Sequence, residues 1–273
     1  MDIYIKRLGE PHMQINHIDR NSNTMPLLMD KDAIEAINWF ERTYQYHILF
    51  WEVEIVDQIN ENKYGWFDLN KSLIDIGAGI GEYPIFSNFK HCYAFEPNKS
   101  SRYIMCTNAV IHDKIDDIDI YPYAISDNPG TRGFTGWTED IKSGSDRLSL
   151  GESNQMIEYR TLDSFNFNDI GLIKIDIEGF EYNALRSGVG TIIRNDYPPI
   201  LAEMWSDYSI ENDFWRDDKD AAEFYKGQEE KLRKLLSSLG YVRITDPGLG
   251  DWETYFFIHE THLNRYDGDC VRD

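Results

Sequence analysis

The stretch that decides the fold is LIDIGAGIGE, residues 73–82, followed by AFEP at residues 94–97. An apolar run ends in Asp75, three glycines follow at alternate positions (Gly77, Gly79 and Gly81), and a second acid, Glu96, lies 21 residues after the first. This order predicts a strand, a tight turn that lets the backbone approach a ligand, and a second strand whose final acid can bind ribose hydroxyls. It predicts a parallel-sheet protein that holds an adenosine-containing cofactor.

The spacing of the glycines distinguishes two kinds of cofactor. A dinucleotide-binding turn has its third glycine three residues after the second, where the turn faces a pyrophosphate. Here that position is Glu82, whose negative charge would repel the phosphates. The turn therefore favours a cationic ligand without phosphates, S-adenosylmethionine. The alternative is a glycine-rich turn that binds no ligand.

The composition narrows the range of partners. Lys and Arg number 27 against 48 Asp and Glu, which gives a net charge of −21. Such a surface repels phosphate backbones and anionic lipids, so we expect a small-molecule or glycan partner and no nucleic acid. No apolar run approaches the roughly 20 residues of a membrane span, and the first residues are polar and charged. The three cysteines, Cys92, Cys106 and Cys270, have no metal-ligand spacing. We expect a soluble, cytoplasmic protein.

Two regions differ in their pattern. Residues 1–70 predict a helical cap or lead-in, with helices around 33–40 and 44–59 that either pack on the sheet or close over it as a lid. Residues 71–273 alternate between strand and helix signals, the pattern of a parallel sheet covered on both faces. The predicted strands are 72–76, 91–95, 118–124, 172–177, 199–204, 241–245 and 254–259, and the predicted helices are 82–89, 98–110, 180–187 and 219–239. Residues 126–161 predict turns and a short hairpin.

Acidic side chains end or follow five predicted strands. Ligands of open α/β sheets bind at the carboxyl ends of the strands, where the strand order reverses. This rule gathers Asp75, Gly77, Gly79, Glu96, Asn98, Ser126, Asp127, Asp176, Glu178, Glu203 and Trp205 at one edge. Carboxylates at close range disfavour ionisation of one another, so we expect a cation or a shifted pKa among them.

The segments LIKIDIEGFE (172–181), AISDNPG (124–130), TLDSF (161–165) and PILAE (199–203) follow in order. Together with IDIGAGIGEY and FEP they resemble the FkbM family of S-adenosylmethionine-dependent methyltransferases. The resemblance runs from about residue 72 to residue 203. It leaves the first 65 residues and an aromatic, acidic insertion at 205–218 uncovered, and these are where an acceptor would be chosen.

The resemblance implies a class I methyltransferase fold. This is an α/β, Rossmann-like sheet of seven mostly parallel strands with an antiparallel closing strand and helices on both faces. It also implies methyl transfer to a hydroxyl oxygen of a sugar or natural-product scaffold. Carried over by position, Gly77, Gly79 and Gly81 would line the methionine and ribose, and Glu96 would bind the ribose hydroxyls. Ala124, Ile125 and Ser126 would flank the adenine, and Asp176 would lie near the methyl group.

An alcohol needs a base or a metal to become nucleophilic at neutral pH. Asp176, Glu178 and Glu203 are the candidates for either task, and three such oxygen ligands could hold Mg²⁺ or a similar ion. His47 and His259 are the alternative bases. In the insertion, Trp205, Tyr208, Phe214 and Trp215 either stack against a sugar or anchor a long loop.

Three other functions share parts of this pattern. A nicotinamide-dependent oxidoreductase is opposed by Glu82 and by the lack of a Tyr-x-x-x-Lys pair. A nucleic-acid methyltransferase is opposed by the net charge and by the motif YPP at 197–199, which reverses the order used for amino methylation. A cofactor-binding subunit without catalysis is opposed by the density of acids at the strand ends.

Overall fold

The computed structural model describes residues 4–7, 12–18, 24–30, 53–135, 147–148, 155–207, 225–244, 254–263 and 270–271. The strands are β1 Tyr4–Arg7, β2 His12–Ile18, β3 Thr24–Asp30, β4 Ser72–Ile76, β5 His91–Phe95, β6 Ile118–Tyr121, β7 Tyr123–Ile125, β8 Gly130–Thr135, β9 Arg147–Leu148, β10 Gln155–Arg160, β11 Ile170–Ile175, β12 Ile200–Glu203, β13 Tyr241–Ile244, β14 Thr254–His259 and β15 Cys270–Val271. The helices are α1 Val53–Glu61, α2 Glu82–Phe86, α3 Lys99–Ile111, α4 Glu181–Arg186, α5 Val189–Arg194 and α6 Gln228–Ser238.

The central sheet has eight strands in the order β15-β13-β14-β12-β11-β4-β5-β6. The run from β12 to β6 is parallel, and β14 is antiparallel to both of its neighbours. The chain moves outward from β4 through β5 to β6, and then returns to the other side of β4 as β11. The order of the strands therefore reverses between β4 and β11. The predicted α/β, Rossmann-like fold with an antiparallel closing strand is confirmed.

The two central strands, β4 and β11, are buried along their whole length. Their apolar side chains alternate between two cores, with Leu73 and Leu172 in one and Ile74 and Ile173 in the other. Helices α1–α3 contribute to the first core, and α4–α6 contribute to the second. A strand covered on both faces needs apolar residues in succession, which explains the uninterrupted runs in the sequence.

Residues 118–124, predicted as one strand, form two. Pro122 lies between β6 and β7 and has no N–H to donate to a sheet. After it the chain leaves the central sheet, and β7 joins a smaller sheet in the order β7-β10-β8-β9. This sheet contains the predicted hairpin.

The N-terminal region differs from the predicted helical lead-in. Its first 30 residues contain a three-stranded antiparallel sheet, β1-β2-β3, in which the sequence pattern had indicated no strand. The backbone of β3 lies against α3. The predicted helix at 33–40 lies outside the described residues. Helix α1 begins within the predicted segment 44–59 and ends two residues after it, at Glu61. Helix α1 packs into the same core as β4. The predicted boundary at residue 70, between an N-terminal cap and the methyltransferase domain, stays a prediction.

In the parts of the chain that the structure describes, no helix is long and apolar enough to cross a membrane.

Candidate active site

The turn after β4 lies at the carboxyl edge of the sheet, beside the end of β11. Gly77 has φ of +83°, and a Cβ on it would lie 1.8 Å from the carbonyl oxygen of Asp176. Gly79 has φ of +52°, but a Cβ there would meet no atom within 4 Å. Glycine at 77 is thus required by the neighbouring strand, whereas Gly79 borders open space in which a ligand could contact the backbone.

Gly81 contributes through packing. A Cβ at this position would lie 2.8 Å from Cγ of Met105 on α3. Helix α2 starts at the next residue, Glu82, which occupies the position of the third glycine in a dinucleotide-binding turn. The described geometry therefore assigns Gly81 to the contact between the turn and α3, and its contact with a cofactor stays a prediction.

Glu96 follows β5 and fixes the shape of the turn. Its Oε2 accepts a hydrogen bond from the backbone N–H of Gly79 at 2.9 Å, and its Oε1 accepts one from the N–H of Asn98 at 2.7 Å. A carboxylate oxygen has two lone pairs and can accept more than one hydrogen bond. A buried acid held in this way is preorganised to accept hydrogen bonds from hydroxyl groups beside Gly79.

Asn98 and the residues after β6 lie near the same edge. Asn98 is buried just before α3. Ala124 and Ile125 end β7, which contacts β5, and the N–H of Ser126 donates to the carbonyl of Arg160 at 2.9 Å. A position close to the adenine stays a prediction for all three residues at 124–126.

Asp127 connects this edge to α4. Its Oδ1 accepts from Nδ2 of Asn183 at 3.1 Å, and its Oδ2 lies 3.2 Å from a guanidinium nitrogen of Arg186. These contacts occupy the carboxylate, so the structure gives Asp127 a role in holding α4.

Asp176 and Glu178 follow β11. The backbone N–H of Asp176 donates to the carbonyl of Ile76 at 3.0 Å, which joins this residue directly to the end of β4. Its side chain is one-third exposed. Glu178 has φ of +60°, a left-handed conformation that is unusual for glutamate and that turns the chain into α4.

Glu203 ends β12, and its carboxyl group interacts with that of Asp176. Burial raises the pKa of Glu203 well above its ordinary value, and the charges of Asp176, Glu178 and Glu181 raise it further. The Oε2 atom of Glu203 is buried and has no hydrogen-bond partner among the residues that the structure describes. A raised pKa favours the protonated form of a carboxyl group.

Glu181 is an acid of this site that the sequence analysis did not select. It begins α4, and its Oε1 accepts hydrogen bonds from the N–H groups of Ile177 at 2.9 Å and Gly179 at 3.1 Å. Burial raises its pKa to about 7, although these two hydrogen bonds oppose the shift. The spacing of Glu178 and Glu181 around a glycine could have indicated a carboxylate that closes the turn.

Lys174 is a second residue of this site that the sequence pattern did not lead us to select. It lies in β11 among apolar residues and is 4% exposed, whereas lysine ordinarily lies at the surface. Its Nζ lies 3.0 Å from the carbonyl oxygen of Gly77, 3.4 Å from Oδ1 of Asp75 and 3.7 Å from Oδ2 of Asp176. A charged residue inside an apolar strand was the available signal.

Asp75 lies in the core of the sheet. Its side chain is buried, and Lys174 is its neighbour across the β4–β11 register. Burial raises the pKa of Asp75, and the positive charge of Lys174 offsets only part of this shift. The contact of Asp75 with a cofactor stays a prediction, because its observed partner is Lys174.

Trp205, the first aromatic residue after β12, packs against the body of the protein. Trp205 is buried, with its ring centroid 6.0 Å from that of Tyr225. Tyr225 also contacts Phe180, and it would be 2.6 Å from a Cβ at Gly179. For Trp205 the geometry supports the anchoring role. Tyr208, Phe214 and Trp215 lie outside the described residues.

His259 is at the opposite edge of the sheet, so its selection as a general base is wrong. It pairs with Tyr241 at the start of β13, and β14 runs antiparallel to the other strands. Its ring stacks on Tyr197 at 4.2 Å, which explains its burial. His47 lies outside the described residues.

The expected metal site is not supported. Asp176, Glu178 and Glu203 lie near one another, but within the described ranges no three His, Cys, Asp or Glu side chains are grouped so as to hold a metal ion.

Several solved structures are similar to this chain, among them the following three. A methyltransferase FkbM from Methylobacillus flagellatus KT is 15% identical and has a TM-score of 0.48, over 75% of this chain and 48% of that one. An O-methyltransferase from Bacillus cereus in complex with SAH is 10% identical and has a TM-score of 0.44, over 84% and 90%. An SAH-bound methyltransferase from Podospora anserina is 10% identical and has a TM-score of 0.42, over 85% and 88%.

The chain thus spans about half the length of the Methylobacillus protein, 48%. No curated protein matches it. The sequence model of the methyltransferase FkbM domain matches residues 75–243, which include the turn after β4, Glu96 and the acids that follow β11 and β12. Because the match covers more than half of the 273 residues, the chain belongs to the FkbM methyltransferase family.

Proposed function

We propose that this protein transfers a methyl group from S-adenosylmethionine to a hydroxyl oxygen of a small molecule, either a sugar or glycan or a natural-product scaffold. The observation that carries the proposal is the junction of two features at one edge. The open turn at Gly79, held by Glu96, lies beside a carboxyl pair formed by Asp176 and Glu203.

The residues at the turn fit S-adenosylmethionine. A Cβ at Gly79 would meet no atom within 4 Å, and the carboxylate of Glu96, which accepts from the N–H of Gly79, lies where it could accept hydrogen bonds from the two ribose hydroxyls. Glu82 begins the following helix, where a pyrophosphate would meet its negative charge. The acids of the edge suit a cationic ligand. When bound, the cofactor supplies an activated methyl group on a sulfonium sulfur.

Asp176 is the best-supported base of the three acids named from the sequence. Its side chain is partly exposed, and Nζ of Lys174 lies 3.7 Å from its Oδ2. Burial and the neighbouring carboxyl groups raise the pKa of Glu203, which favours its protonated form over the charged form that a base needs. Asp176 would accept the proton of the acceptor hydroxyl while the protein holds that oxygen in line with the methyl group.

The overall charge of −21 supports a small neutral or cationic acceptor rather than a nucleic acid. Membership in a methyltransferase family does not depend on the identity of the acceptor. A nicotinamide oxidoreductase has no observation in its favour at this edge.

The test is a screen for transfer of labelled methyl groups from S-adenosylmethionine to sugars, glycans and simple alcohols, with and without EDTA. We expect label in a hydroxyl-bearing acceptor, insensitivity to EDTA and a loss of at least about 100-fold in Asp176→Asn. The matched control is Asp119→Asn on β6, an exposed aspartate paired with His91. Tighter binding of NADH than of S-adenosylhomocysteine in a parallel titration would contradict the proposal.

A further inference from the structure

Lys174 is a buried cation that contacts both the turn after β4, at Gly77, and the acid that follows β11, Asp176. Its Nζ lies 3.0 Å from the carbonyl oxygen of Gly77, and the carboxylates of Asp75 and Asp176 lie 3.4 and 3.7 Å from it. The ring of Tyr83 on α2 lies 5.1 Å from the same nitrogen.

This arrangement is costly for a residue that serves only the core. A lysine in the centre of a sheet loses its solvation, and replacing a buried ion pair by apolar residues often leaves stability unchanged or improves it. Neutralising Asp75 would need one contact only. Lys174 instead extends past its cross-strand neighbour to the carbonyl of the turn, and the two flanking residues of β11 are isoleucines.

The two groups beyond Asp75 are the ones that the reaction must align. Gly77 belongs to the turn proposed to hold the methyl donor, and Asp176 is the proposed base. These residues already touch, since a Cβ on Gly77 would lie 1.8 Å from the carbonyl oxygen of Asp176. Lys174 adds a charged hydrogen bond on the turn side and an ion pair on the base side.

We infer that Lys174 is a positioning residue, which fixes the donor-binding turn at Gly77 relative to Asp176. The inference rests on the proposed function, because it assigns the donor to this turn. It predicts that removing the ammonium group weakens donor binding even when the buried charge of Asp75 is removed with it. A lysine that only neutralises Asp75 would have no such effect.

The experiment compares donor binding and melting temperature in four proteins: wild type, Asp75→Asn, the double variant Asp75→Asn/Lys174→Met, and the control Lys234→Met. Lys234 is an exposed lysine on α6 that pairs with Glu230. The probe is S-adenosylhomocysteine, measured by isothermal titration, so that no acceptor is needed.

We expect the double variant to melt within about 5 °C of Asp75→Asn and to bind S-adenosylhomocysteine at least tenfold more weakly than Asp75→Asn does. Lys234→Met should bind as the wild type does. Equal affinities in Asp75→Asn and the double variant would overturn the positioning role while leaving the proposed function intact. Failure of the wild type to bind would overturn both.

If the methionine variant does not fold, Asp75→Asn/Lys174→Gln is compared with Asp75→Asn in the same way. This pair keeps two polar side chains in the core and still removes the ammonium group. Hydrogen exchange of the segment at 77–81 provides a second measurement. We expect the backbone amides of this segment to exchange faster in the double variant than in Asp75→Asn. Equal exchange rates in the two folded variants would contradict the inference.

Discussion

Glu181 offers the sharpest quantitative test, because its carboxyl group is buried and still accepts two backbone hydrogen bonds. Burial raises its pKa from 4.5 to about 7 in the folded protein. The folded state therefore binds the proton more tightly than the unfolded chain does. Through this group, the stability of the wild type falls as the pH rises from about 4.5 to about 7 and is constant on either side of that window.

The variant Glu181→Gln removes this titration and keeps an oxygen that can accept from the N–H groups of Ile177 and Gly179. One pKa unit corresponds to about 1.36 kcal/mol, so the shift of Glu181 corresponds to about 3 kcal/mol. Relative to the wild type, we expect the variant to gain up to about 3 kcal/mol of unfolding free energy between pH 4 and pH 8.

The assay is urea unfolding monitored by tryptophan fluorescence, at steps of half a pH unit from pH 4 to pH 8, with wild type and variant measured in parallel. Glu230→Gln is the matched control. Glu230 is exposed, and its hydrogen bond and ion pair with Lys234 lower its pKa, so the pH dependence of its variant should have the opposite sign.

A difference between Glu181→Gln and wild type that does not change across this range would refute the reasoning. So would a difference that grows only above pH 8, because the titrating group would then be another one.

Three further predictions concern Glu96, the glycines of the turn after β4 and the acids that follow β11. Glu96→Ala should weaken binding of S-adenosylhomocysteine at least tenfold, because it removes the proposed acceptor for the ribose and releases the N–H of Gly79. Titration calorimetry checks this. Gly79→Ala should fold and lose binding of S-adenosylhomocysteine, whereas Gly77→Ala should lose more than about 2 kcal/mol of stability because its Cβ has no room. Urea unfolding measures the loss of stability, and titration calorimetry measures the loss of binding. Asp176→Ala and Glu178→Ala should lower turnover more than donor affinity, and unchanged methyl transfer in both would show that the base lies elsewhere.

The central strands were predictable from the sequence because their apolar runs must be buried on both faces. The predicted boundaries of β4, β5 and β14 agree with the structure. Family membership was predictable as well, since the order of IDIGAGIGEY, FEP and IKIDIEGFE is a local property of the chain.

The N-terminal sheet was not predictable in the same way. Its strands, β1 to β3, pair with one another, and strand pairing depends on partners as much as on local pattern. Pro122 could have indicated the break between β6 and β7, because a proline removes a donor from the sheet.

The sequence alone determined that a glycine turn, Glu96 and a set of acids follow neighbouring strands, because hydrophobic runs and turn residues act locally. Only the tertiary structure decided how these groups divide their roles. Register across β4 and β11 brings Lys174 beside Asp75 and extends its ammonium group to Gly77, and burial raises the pKa of Glu203 beside Asp176. Distances across strands and loss of solvation depend on residues far apart in the chain, and no local pattern contains them.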